Sequence, residues 1–121
     1  MAEMLAGLLQ NYKLPDTAVK RAAVSAAGAG DNTLVAAVSG KRIKVLALVL
    51  CAASAVDVRL ESGAGGTALT GVMSLTAGDL RLVWPLAVPG YHWVETAAGA
   101  LLNLELSAAV QVSGCIVYYE E

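Results

Sequence analysis

Residues 44–61 read KVLALVLCAASAVDVRLE, and residues 45–56 within them carry no charge. Such a run fits a membrane span, a buried helix, or a strand covered on both faces. It is too short to span, because a transmembrane helix needs about 20 apolar residues. The run is rich in Val and Leu and breaks at residues 52–55, AASA. Beyond the break, Val56, Val58 and Leu60 alternate with Asp57, Arg59 and Glu61. That is the period of a half-buried strand. Two strands joined by a small-residue turn follow. The first is apolar on both faces, so one face packs on the core. The other meets a second layer, an N-terminal arm or a neighbouring subunit.

The same punctuation runs along most of the chain. AVKRAAVS (18–25) leads to a turn, AAGAGDN (26–32), then TLVAAV (33–38) and RIKVLALVLC (42–51). After VDVRLE come the loop SGAGG (62–66), TALTGVMSL (67–75), the turn TAGD (76–79) and LRLVW (80–84). WVET (93–96) is short. LLNLELS (101–107) sets Leu102, Leu104 and Leu106 against Asn103, Glu105 and Ser107, and AVQVSGCIVYY (109–119) follows. Short strands between Gly-rich turns predict an all-β domain, an antiparallel β-sandwich or jelly roll of about eight strands, over residues 16–121. An Ala-rich helical fold is the rival, because alanine favours helix intrinsically. The β-branched runs and period-two charges outweigh it. Residues 1–15 differ. Met4, Leu5, Leu8, Leu9 and Tyr12 recur at helical spacing and Pro15 stops the pattern, predicting a short helical arm. A helix that short needs a surface to dock on, so these five residues are expected to bind either their own sheet or a partner.

The 121 residues make one ordinary domain. Apolar residues reach 57%, charged residues only 15%, and there is no Phe. A core of Ala and Gly buries little area per residue at roughly 25 cal/mol per Å². A lone monomer with so few charges would expose apolar surface, which marks partner interfaces. A homo-oligomer or an assembly subunit is therefore expected. The formal net charge of −2 lacks the basic stripe that phosphate neutralisation requires, which argues against nucleic acid. Lys41, Arg42 and Lys44 read as the solvated end of a strand. The start has an early acid, no basic segment and no long apolar stretch, so no secretory signal is expected. Cys51 and Cys115 lie in apolar, strand-like surroundings that suit buried thiols, and a disulfide stays open. Zinc would need more ligands than these and His92 supply.

Catalytic signatures are sparse. His92 is the sole histidine and no GxSxG elbow accompanies it. The Gly-rich stretches lack the Lys-Ser/Thr of a P-loop. Asp31, Asp57, Glu61, Asp79, Glu95 and Glu105 are dispersed, and carboxylate pairs mean nothing without geometry. Asp31 and Asn32 read as turn residues that start a strand. No local segment offers enough oxygens for calcium. No enzyme activity, cofactor or metal is expected. Trp84, Tyr91 and Trp93, three of the six aromatic residues, gather with His92 in VWPLAVPGYHWVET (83–96). Either they plug one end of a sandwich whose core is otherwise small, or they bind a protein or glycan, where Trp and Tyr dominate contact energy.

GDNTLVAAVSGKRIKVLALVL (30–50), TALTGVMSL (67–75) and GYHWVETAAGALLNLELSAAVQVSGCIVYYEE (90–121) together resemble a family of small β-sandwich virion proteins of tailed bacteriophages. The resemblance spans residues 28–119 and is one of residue types and turns. It implies a structural role: capsid decoration or cement, a head fibre, or part of a tail or receptor-binding assembly. A short arm without a long fibre segment favours a compact decoration protein on the capsid surface. Such a protein, made in the host cytoplasm, would form a trimer and bind the major capsid protein. A tail or fibre-tip module that binds a host glycan through Trp84, Tyr91, His92 and Trp93 is the alternative.

Overall fold

The computed structural model describes residues 18–83 and 90–121. The expected helical arm, with Met4, Leu5, Leu8, Leu9 and Tyr12, and the loop residue Trp84 lie outside them. The described residues form two antiparallel sheets facing each other, and no helix. Sheet A runs in the order β1 (Lys20–Ala26), β10 (Val112–Glu120), β3 (Ile43–Ala52) and β7 (Leu80–Val83), with β8 (Val94–Glu95) also on β3. Sheet B runs β2 (Gly30–Val35), β9 (Leu102–Leu106), β4 (Val56–Ser62) and β5 (Thr67–Ala68), with β6 (Met73–Leu75) also on β4. The first strand lies beside the last, and β1 to β4 alternate between the sheets. The turn expected at residues 52–55 is therefore a crossing from sheet A to sheet B, pinned where Ala53 N donates to Gln111 O at 2.9 Å.

The alternation expected for residues 56–61 is what the sandwich uses. Val56, Val58 and Leu60 are buried with Leu102, Leu104 and Leu106 of β9. From sheet A come Val24, Ile43, Val45, Leu48, Leu50, Val112 and Ile116. Strict alternation cannot put both Val45 and Leu48 on one face. A register shift resolves this: Val117 opposes Ala47 and Tyr118 opposes Val45, so Leu46 is an extra residue. This β-bulge turns the strand by one side-chain position. It lets β3 feed the core on both sides of the shift while Leu46 and Ala47 are also buried.

One boundary departs from the sequence reading. The turn expected over residues 26–32 is shorter, and β2 starts at Gly30. The Asn32 amide donates back to Gly28 O at 2.8 Å, so its turn chemistry is real. Yet Asp31 and Asn32 already pair with Glu105 and Leu104, and the strand ends at Val35 rather than 38.

Candidate functional site

The outward face of sheet B carries a polar cluster that register alone assembles. Asp31 on β2 lies opposite Glu105 on β9, and Glu105 lies opposite Arg59 on β4. In the next row Asn103 lies opposite Glu61. Because the flanking Leu and Val residues take the core, these five side chains share the other face. Like charges directly opposite on paired strands are destabilising, so the Asp31–Glu105 pair needs compensation. Arg59 supplies part of it: Nε donates to Glu61 Oε2 at 2.8 Å and Nη2 to Glu105 Oε2 at 2.9 Å. Asn103 Nδ2 donates to Glu61 Oε1 at 2.8 Å and to Asp31 Oδ1 at 2.9 Å. Gly65 N donates to Asp31 Oδ1 at 3.1 Å.

Glu61 and Glu105 thus meet one guanidinium, and one oxygen from each of Asp31, Glu61 and Glu105 lies within 4.8 Å of the others. Glu61 and Asn103 are each 0% exposed, whereas Asp31 is exposed and Glu105 half-buried. Burial pushes the Glu61 carboxyl up. Hydrogen bonds from Glu105, Asn103 and Arg59, with the Arg59 charge, pull it down by more, so it lies below the usual range. Glu105 is raised, first by its hydrogen bond with Glu61 and then by burial, against the pull of Arg59. The pair therefore divides the roles: Glu61 holds charge and Glu105 holds the proton more readily. A groove of about 200 Å³ borders Arg59 and Glu105, lined also by Asp57, Val72 and Ser107.

The buried amide of Asn103 holds two strands' carboxylates in place, which gives one prediction. Asn103→Ala removes the donor to both carboxylates and should lower stability by about 1–3 kcal/mol, the cost of leaving the buried Glu61 acceptor unmatched. Urea unfolding checks it, as a lower midpoint with an unchanged slope; an unchanged midpoint would mean that Glu61 finds water instead.

The aromatic loop divides in two. Trp93 packs against the hydrophobic core and its N donates to Val45 O at 2.8 Å, so it serves the plug. Tyr91 is 51% exposed. His92 Nε2 lies 3.5 Å from Glu95 Oε2, and its ring meets Tyr119 edge-on at 6.4 Å. Gly90 N donates to the Tyr119 hydroxyl at 3.0 Å, and Lys44 Nζ stands 5.8 Å from the Tyr119 ring centre. This end is thus a packed Lys44–Tyr119–His92–Glu95 patch with one exposed tyrosine.

The outward face of sheet A is the chemical opposite of that of sheet B. Ala23, Cys115, Val49 and Leu82 form one row across β1, β10, β3 and β7. Ser25, Ser113, Cys51 and Leu80 form the next. Leu80 is 62% and Leu82 55% exposed. A shallow groove of about 130 Å³ runs past Arg21, Ala47, Val49, Cys115 and Val117. Cys51 and Cys115 are free, half-buried thiols on this outer face rather than in the core, diagonal to each other on neighbouring strands.

The fold and these two faces define an all-β two-sheet sandwich with an acidic outer face and an apolar one. Among solved structures, the chain is similar to a protein of the disulfide-linked pili that form Bacillus endospore appendages. The identity is 12% and the TM-score 0.48, over 90% of this chain and 92% of that one. No protein-family model and no curated protein matches it. No helix among the described residues is long and apolar enough to cross a membrane.

Proposed function

We propose that this chain is a non-enzymatic virion structural protein of a tailed bacteriophage, a trimeric decoration protein that binds the major capsid protein. The observation that carries the reading is the apolar outer face of sheet A. Val49, Cys51, Leu80, Leu82, Cys115 and Val117 lie together there, with Arg21 opposite Val117. A second copy of the chain is the occupant the reading assigns to this face. The strand order supports the jelly-roll form of the sandwich, an architecture that recurs in capsid proteins; that link is one of fold analogy. The resemblance of residues 28–119 to small phage virion proteins points the same way. Attachment at a local three-fold axis of a capsid would let three weak contacts act as one durable hold. The glycan-binding alternative is weaker, because Trp93 is engaged by the core while Tyr91 stands exposed.

Light scattering tests the assembly. The expected mass is that of a trimer, and Leu80→Glu with Leu82→Glu should shift it to a monomer that keeps its far-ultraviolet spectrum. Co-sedimentation with tailed-phage heads stripped of decoration protein tests the partner. A wild-type protein that is monomeric at every concentration and stays in the supernatant would overturn the reading.

A further inference from the structure

We propose that residues 1–15 of the same chain seat on the outer face of sheet A, with Met4, Leu5, Leu8, Leu9 and Tyr12 against the shallow groove over β10 and β3. The floor of that seat runs over three rows of outward residues, from Val117 and Ala47 through Cys115 and Val49 to Ser113 and Cys51. Ala47 is 2% exposed, while Val49, Cys115 and Val117 are half-buried. Arg21 of β1, opposite Val117, stands on the rim.

The chain's own first residues are the occupant because of where they attach. The described chain begins at residue 18, and β1 starts at Lys20. Arg21, which lines the groove, is the next residue. Residues 13–19 link Tyr12 to β1, and seven residues reach up to about 23 Å when extended. The groove is one strand away, a spacing of about 5 Å. So short a tether holds the segment over the groove at an effective concentration on the order of 1 mM. A separate partner has no such advantage.

Size points the same way. The five apolar residues at positions 4, 5, 8, 9 and 12 share one side of a helix. A helix over 4–12 would be about 13 Å long and about 10 Å wide. The three rows extend about 13 Å along the strands, and β10 with β3 offers about 10 Å across. A helix this short does not hold alone in water, so docking and helix formation support each other. The face is thereby divided. Leu80 and Leu82, on β7 beyond β3, stay open to the second copy proposed above. The arm's seat is set by its tether and does not depend on that contact.

Cys115 reports on the groove. In a Cys51→Ser background, its reaction with an aromatic disulfide reagent measures how well it is covered. Leu8→Glu with Leu9→Glu should speed that reaction by about tenfold or more, the mark of a local opening, with the β-sheet spectrum kept. Leu8→Cys in the same background should form a disulfide with Cys115 inside one chain when diamide takes up the two electrons and two protons. That product, a faster band on a non-reducing gel, reads proximity even where the glutamates unfold the protein. Cover of Cys115 should be the same above and below the concentration at which light scattering detects assembly, and the same in Leu80→Glu with Leu82→Glu. Equal rates with and without the arm glutamates would overturn the proposal, as would a Leu8→Cys product that links two chains. Cover that appears only on assembly would give the groove to a second copy and overturn it too. A wild type that is monomeric throughout, with Cys115 still covered, would uphold the arm's seat and overturn only the contact between copies.

Discussion

Gly114→Ala should destabilise the protein by roughly 3 kcal/mol or more, the range in which single changes are exceptional. Gly114 is the third residue of β10, with Val24 of β1 on one side and Leu50 of β3 on the other. A Cβ there would fall 1.7 Å from Val49 O, 2.7 Å from its carbonyl carbon and 3.2 Å from Leu50 Cα. All three atoms are backbone, so no rotamer change relieves the clash. Either β10 moves away from β3 and loses the ladder at the centre of sheet A, or the chain does not fold. Urea denaturation measures the loss. A variant within about 1 kcal/mol of wild type would mean that β10 and β3 pair in another register.

Leu104→Ala should cost about 3 kcal/mol, within the 2–5 kcal/mol typical of Leu truncation in cores. Leu104 is 0% exposed, at the centre of sheet B opposite Leu60. In a chain without Phe, leucines carry much of the burial. Few large neighbours are available to collapse into the space. For a domain of this size the melting midpoint should fall by about 10–15 °C. A fall of under about 3 °C would show that the core repacks freely.

The two predictions rest on parts of the molecule that the sequence discloses to different degrees. Residues 56–61 and 101–107 announce their strands because apolar and polar residues alternate there, and residues 43–51 do so as a short Val- and Leu-rich run. The inward residues, Val56, Val58, Leu60, Leu102, Leu104 and Leu106, are those the pattern selects. Gly114 is silent in sequence, since a glycine needed for close approach looks like any other. The limits of β2 were obscured because Asn32 caps a turn and pairs in a strand at once. The carboxylate cluster was hidden for a topological reason. Alternation places Arg59, Glu61, Asn103 and Glu105 outward, but only the pairing of β9 with both β2 and β4 brings them to Asp31. The buried state of Glu61 and Asn103 has no local signal, since each occupies the polar phase of its strand.

The edges of the two sheets bear on association by strand pairing. β7 and β8 divide one margin of β3, pairing with residues 48–51 and 44–45 respectively. β5 and β6 divide the margin of β4 in the same way. The remaining margins carry charge, Lys20 and Arg21 on β1 and Asp31 on β2. Short, interrupted or charged borders are poor templates for an added strand. Among the described residues, growth by strand addition, which has no natural end and leads to fibrils, is discouraged at these borders. Contact through faces is what remains, and face contacts related by rotation close on themselves. A protein packed at high density can then keep a finite number of neighbours.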